Sequence, residues 1–214
     1  MDLDVCEIFH SLQGESTYAG LPCIFVRLSG CNLSCSWCDT AYANETGITM
    51  SIPAIEEKIN SIDCSLVEIT GGEPLLQTNT HALVEHLIDD GRQVLIETNG
   101  TQSIRDLPAA SVKIMDVKCP SSSESGTTLW ENLDFIDHKD EIKFVVGSKE
   151  DYEYARSVIQ DRLAHIRAGK IHISPVHGQI PMETIARWML KDRLAARLSF
   201  QYHKMIWGPD KQGV

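Results

Sequence analysis

The sequence has no apolar run near the roughly 18 residues that a membrane-spanning helix needs. Its first residues, MDLDVCEIF, lack the basic start and continuous apolar stretch of a secretory signal. The expectation is a cytoplasmic, reducing setting with no membrane partner. Basic blocks are missing as well. Lys and Arg number 19 against 30 Asp and Glu, a net charge of -11, so no nucleic-acid partner is expected and a small molecule is. There are no internal repeats, linkers or long low-complexity tracts. Residues 1–214 therefore read as a single domain, and 43% apolar residues are enough for one core. The short polar stretch SSSESG, Ser121 to Gly126, is either flexible surface or a segment that covers or touches a ligand.

Cysteine, by contrast, is plentiful. In a reducing compartment the seven thiols are ligands, catalysts or small core residues rather than halves of disulfides. Cys6, Cys23 and Cys64 stand alone in apolar surroundings and read as core. Cys31, Cys35 and Cys38 fall together in CNLSCSWC, at C-x3-C-x2-C spacing. Structural zinc is normally closed by four protein ligands, so a fourth would have to come from Cys23, Cys64, Cys119 or a histidine. A four-iron cube obeys a different arithmetic: four thiolates saturate it, and three leave one iron open to a substrate or cofactor. Gly30 allows the turn into this loop.

Two patterns alternate along the rest of the chain. Apolar runs of strand length occur at CIFVRLS, LVEIT, QVLIET, VKIMDVK, EIKFVV, KIHIS and ARLSF. Helical spacing lies between them. Ile52, Ile55, Ile59 and Ile62 recur at steps of three and four, and further helices are expected over Asn79 to Asp90, Lys149 to Ala164 and Pro181 to Arg193. Strand followed by helix, repeated, predicts an α/β fold with mostly parallel strands. Nearly every strand ends in polar chemistry, at ITGGEP, IETNG, DVKCPS, HISPVHG and SFQYHK. Parallel folds collect their sites at such carboxyl ends, which predicts one shared site. Arg27, inside an apolar strand, needs an anionic partner there: a substrate carboxylate or an internal Glu.

The triple cysteine with an aromatic before its third member, followed by GGEP at Gly71 to Pro74, resembles the radical S-adenosylmethionine (SAM) superfamily. That resemblance implies a partial (β/α)6 barrel of the radical SAM type. It also implies a [4Fe-4S] cluster on Cys31, Cys35 and Cys38, and SAM on the open iron. The blocks FHSLQGES, FVRLSGCNLSCSWCDT, EITGGEPLLQ, IETNGT, DVKCPSS and FQYHKMIWG narrow it, being similar to the 7-carboxy-7-deazaguanine synthase family. They run in order from Phe9 to Gly208. The implied activity is that of a carbon-nitrogen lyase turning 6-carboxy-5,6,7,8-tetrahydropterin into 7-carboxy-7-deazaguanine with loss of ammonia, a step in queuosine and deazapurine biosynthesis.

Residue roles follow from the same resemblance. Trp37, Cys38, Asp39, Gly71, Gly72, Glu73 and Asn99 are expected at SAM, with the GGEP backbone meeting the methionyl amino group. Lys118, Cys119, Pro120 and Ser121 are expected at its carboxylate or ribose, Cys119 positional rather than a fourth cluster ligand. The pterin is expected to meet Leu12, Gln13, Gly14 and Glu15, then Arg27, Thr70, Glu97, Gln201 and His203. Val214 is a candidate through its terminal carboxylate, although the chain runs on through MIWGPDKQGV after QYHK. Among the implied catalytic residues, Arg27 and Glu15 join the three cysteines. Thr40 is expected to hold Mg2+ that also touches the substrate carboxylate. A flavodoxin or ferredoxin-type electron donor and a homodimer complete the expectations. Two rivals stay open: an activating enzyme that takes hydrogen from a protein glycine, which would leave Glu15, Arg27 and His203 without a common task, and a zinc-stabilised module with no catalysis.

Overall fold

A computed structural model describes residues 1–44 and 47–214. Among them, one nine-stranded sheet runs in the order β3-β1-β2-β4-β5-β6-β7-β8-β9. The strands are β1 (Asp2–Leu12), β2 (Pro22–Leu28), β3 (Ile48–Ser51), β4 (Leu66–Gly71), β5 (Gln93–Thr98), β6 (Val112–Asp116), β7 (Glu141–Val146), β8 (Ile171–Pro175) and β9 (Arg197–Leu198). From β2 to β9 every neighbouring pair is parallel. Only β1 pairs antiparallel, with β2 on one side and β3 on the other. The seven expected runs all become strands. β1 and the edge strand β3 are additions, and the last run shrinks to two residues.

Helices α1 (Ile52–Asn60), α2 (Thr80–Asp89), α3 (Lys149–Arg162) and α4 (Met182–Asp192) pack outside the sheet, followed by a short α5 (Tyr202–Trp207). Helix α1 starts where expected: Ser51 accepts from Ala54 N, and Pro53 sits in the first turn, where its missing N–H costs nothing. Ile52, Ile55 and Ile59 form its buried face, each worth about 1.5 to 3 kcal/mol of removal from water. Ile62 falls beyond its end. Helix α3 opens with a reciprocal cap between Ser148 and Asp151.

The period of two in each strand divides the molecule into two environments. Outward residues such as Ile24, Val26, Val67, Ile69, Val94 and Ile96 join α1 and α2 in one core. Ile142, Phe144, Ile171 and Ile173 join α3 and α4 in a second. Inward residues face the hollow of the curved sheet. Its lower part is plugged by Cys23, Phe25, Leu66, Leu95, Val112 and Ile114, and its upper part carries charge. Beside the plug lies a buried polar knot. Glu141 meets His172 Nε2 at 2.7 Å and Lys170 Nζ at 3.0 Å, and accepts from Thr17 N at 3.0 Å. Burial alone would raise the Glu141 carboxyl; the hydrogen bonds of His172, Thr17 and Lys170 hold it down at about 2. That knot anchors the loop after β1, which leads into the site.

Candidate active site

A cavity of about 780 Å³ opens at the carboxyl ends of the parallel strands. It is lined at its mouth by Cys31, Cys35 and Cys38, and deeper by Glu15, Arg27, Glu68, Thr70, Glu97 and Lys143. The register explains the convergence. Arg27 stands beside Thr70, and Asp116 beside Lys143, at the tops of adjacent strands.

The cysteine loop is built from both sides. Glu73 N donates to Gly30 O at 2.9 Å, tying the double glycine to the loop's first turn. A Cβ at Gly72 would lie 2.3 Å from Gly30 O and 2.6 Å from Cys31 Cβ, and one at Gly71 would lie 2.2 Å from Leu28 O. Only glycine permits this approach. Across the loop, Ser36 Oγ donates to Ser121 O at 2.5 Å, Ser34 N to Glu124 Oε1 at 2.8 Å, and Trp37 Nε1 to Ser121 Oγ at 3.1 Å. The polar stretch after β6 is therefore a brace for the cysteine loop rather than free surface. Cys31 Sγ accepts from Leu33 N at 3.4 Å and Asn99 Nδ2 at 3.7 Å. Burial raises the Cys35 thiol, opposed by the Lys118 charge. The ammonium of Lys118 sits 5.8 Å from the Trp37 ring centre and 2.8 Å from Asp116 Oδ2.

These features fit an iron-sulfur cube with a vacant corner. Three thiols share one loop, one backbone N–H and one side-chain amide reach Cys31 Sγ, and Cys119 is fully buried in the second core instead of facing them. A glycine cradle leaves backbone polar groups open to a small zwitterion.

The floor is a charge cluster. Lys143 Nζ donates to Glu15 Oε2 at 2.7 Å and to Glu97 Oε1 at 2.5 Å. Gln201 Nε2 donates to Glu15 Oε1 at 2.9 Å. Burial alone would raise the Glu15 carboxyl, but the Lys143 charge outweighs it and the carboxyl is lowered. Burial works the opposite way on His203 and lowers it, favouring the neutral ring. His203 and Gly14 meet so closely that a Cβ on Gly14 would lie 2.2 Å from His203 Nδ1. Tyr202 N donates to Gly14 O at 3.0 Å, joining the first loop to the last helix.

Arg27 takes its internal partner: Nε donates to Glu7 Oε1 at 2.8 Å, and Tyr42 Oη donates to the same oxygen at 2.8 Å. The guanidinium still lines the cavity. Asp39 Oδ2 accepts from Lys204 Nζ at 2.5 Å, and Asp39 Oδ1 from Thr40 Oγ1 at 2.9 Å. Burial would raise the Asp39 carboxyl, yet Lys204 drives it well below the ordinary range.

Most expected site residues line one cavity, including Leu12, Gln13, Gly14, Trp37, Asp39, Thr40, Asn99, Gln201, His203 and Val214. Four expected at SAM do not line it, and the reason is physical. The Glu73 carboxylate points inward and is saturated by Leu75 N, Thr98 Oγ1 and Asn99 N. Cys119 lies in the core, Pro120 opens a short turn, and Ser121 spends its hydroxyl on Trp37 and Asp151. Of the other histidines, His177 lines the cavity, His172 belongs to the polar knot and His10 is exposed. Sequence reasoning missed Glu68, Lys143 and Asp116. The signal was a charge at alternate positions of an apolar strand, as in LVEIT and EIKFVV.

Three thiols on one loop, beside a double glycine at the carboxyl ends of a parallel half-barrel, define a radical SAM protein. A family described as the Radical SAM superfamily matches residues 25–160. A 7-carboxy-7-deazaguanine synthase of Koribacter versatilis is 42% identical over 99% of this chain and 100% of its own length. The enzyme of that name from Chlorobaculum tepidum is also 42% identical, over 99% and 97%. The crystal structure of QueE from Escherichia coli superposes with a TM-score of 0.76 at 26% identity, covering 95% of each chain. The chain belongs to the 7-carboxy-7-deazaguanine synthase family. It is accordingly a radical SAM enzyme, with a [4Fe-4S] cluster and SAM as the family's cofactors.

Replacing Gly72 by alanine is expected to push the Gly30–Cys31 turn outward, because backbone rather than a flexible side chain stands in the way. The expected result is a folded protein whose affinity for SAM falls by roughly tenfold or more, read by equilibrium dialysis. Unchanged affinity would contradict the close approach.

Proposed function

We propose that the protein converts 6-carboxy-5,6,7,8-tetrahydropterin to 7-carboxy-7-deazaguanine with release of ammonia. The observation that carries this reading is a single cavity joining the cysteine loop to a floor of alternating carboxylates, amides and one ammonium. A glycine-abstracting enzyme has no use for such a floor. A flat pterin edge of alternating donors and acceptors does, since each buried polar group left unpaired costs about 1 to 3 kcal/mol.

Cys31, Cys35 and Cys38 would hold the cluster, and Gly71, Gly72, Trp37, Asn99 and Lys118 would hold SAM. When bound, these groups supply an electron and a carbon-centred radical able to remove hydrogen from the carbon bearing the substrate carboxylate. Arg27, with Glu7 fixing its Nε, turns its guanidinium toward that carboxylate. Thr40 gives its proton to Asp39 and keeps its oxygen for a hard cation, which supports Mg2+ at this position. Leu12, Gln13, Thr70, Glu97 and Gln201 face the heterocycle. Glu15, ionised by Lys143, and the neutral ring of His203 are the groups able to hold a proton beside it as the amine departs. The tail from Pro209 to Val214 folds over the cavity, with Gly213 close to Glu7, and excludes water. A small flavodoxin or ferredoxin would deliver electrons to the homodimer in the cytoplasm; no helix among the described residues is long and apolar enough to cross a membrane.

Anaerobic incubation with SAM, reductant and the pterin tests this. Expected are 7-carboxy-7-deazaguanine, ammonia, and 5'-deoxyadenosine that rises sharply when the pterin is present. Deoxyadenosine formed at the same rate without any deazaguanine would overturn the assignment.

A further inference from the structure

Glu68 has no role in the chemistry above, yet it sits at the centre of the cavity floor. It points inward from β4, two residues before Thr70, and is 2% exposed. One oxygen, Oε2, accepts from Gln13 Nε2. Gln13 Oε1 in turn accepts from Glu15 N at 2.6 Å. The carboxyl of Glu97, on the same face of the neighbouring strand β5, stands close enough for its charge to act directly on Glu68.

Two carboxyl groups can be hydrogen-bonded only if one carries a proton. Burial, and then the charge of Glu97, keep that proton on Glu68. The charged groups around it are Glu97, Lys143 and Glu15. Lys143 bridges Glu15 and Glu97 and so fixes their oxygens in place. A floor of fixed acceptors suits a planar ring that presents adjacent N–H donors, as the aminopyrimidinone edge of a pterin does.

We infer that Glu68 is a positioning residue for this edge: it ties Gln13 of the first loop to Glu97 of β5 and so fixes the acceptors that select an aminopyrimidinone ring. The inference rests on the functional reading given above. An apolar residue at this position releases Gln13 and Glu97 together, leaving both to seek other partners in a dry site. A second ionised carboxylate on β4 would repel Glu97 instead.

The test compares Glu68→Leu and Glu68→Gln in the reconstituted holoenzyme, with iron content and SAM binding as controls for folding. Glu68→Leu should raise KM for the pterin by roughly tenfold or more, with a smaller change in kcat. Glu68→Gln should recover most of that loss, because its amide nitrogen donates to Glu97 while its oxygen accepts from Gln13. The resting enzyme should also show an infrared band of a protonated carboxyl that disappears in Glu68→Gln, a readout that needs no substrate. A KM for Glu68→Leu within roughly twofold of the parent, a Glu68→Gln enzyme as impaired as Glu68→Leu, or a missing band would each overturn the inference. Failure of the parent enzyme to turn over the pterin would overturn the functional reading instead, and the band would still decide whether Glu68 carries the shared proton.

Discussion

Substituting Lys143 with methionine is expected to destabilise the protein by about 3 to 5 kcal/mol at neutral pH and to remove pterin turnover. Lys143 is the ammonium bridging Glu15 and Glu97, with its side chain only 9% exposed. Methionine keeps much of the volume and loses the charge, so two half-buried carboxylates face each other with no counter-ion. The pH dependence has a defined sign. In the parent, the Glu15 carboxyl is lowered, so its contribution is present above the ordinary carboxylate range and lost as pH falls through the lowered value. In Lys143→Met the largest lowering influences are gone, only Gln201 and His203 still oppose burial, and the Glu15 carboxyl rises relative to the parent. A raised carboxyl stabilises the folded state at low pH and loses that contribution as pH rises. The gap between parent and variant should therefore be widest near neutrality and narrow on acidification. Urea unfolding at about pH 7.5 and about pH 5 reads it. An equal gap at both values would show that Lys143 acts through packing.

The second large effect contrasts two cysteines. Cys38→Ala should abolish deoxyadenosine formation and leave less iron bound, while the fold survives, because Cys38 is exposed and its loss opens no core cavity. Cys119→Ala should keep the iron and the activity. Its cost falls on stability, on the order of 1 kcal/mol for a small buried side chain. Burial holds the Cys119 thiol far above its ordinary value, so no thiolate is offered there. Iron analysis with circular dichroism separates these outcomes. Loss of iron from Cys119→Ala would make it a ligand and leave no open corner.

Much of this is legible in the sequence. Strands in a parallel sheet are buried on both faces, so β4 to β8 appear as compact apolar runs bounded by Gly, Asp and Ser, and the strand-end polar residues mark the cavity. The cysteine loop announced itself by spacing. What escaped detection was non-local or hidden by charge. In β1, buried Leu3 and Val5 alternate with Asp2 and Asp4, a weak signal because acidic residues disfavour strands, and its pairing to β2 and β3 cannot be read locally. The partner of Arg27 is Glu7, twenty residues earlier in sequence. Glu68 and Lys143 are masked by the apolar runs LVEIT and EIKFVV, although a period of two puts them on the same face as Thr70 and Val145. The GGEP motif identified its neighbourhood correctly, but sequence alone does not say that Glu73 bonds the end of β5 with its side chain while its backbone faces the loop.

The most direct measurement is the composition and spectrum of the anaerobically reconstituted protein. The account predicts about four irons and four sulfides per chain, with an electron paramagnetic resonance signal after reduction that changes when SAM is added. One zinc per chain without iron, or a reduced cluster whose signal ignores SAM, would contradict it.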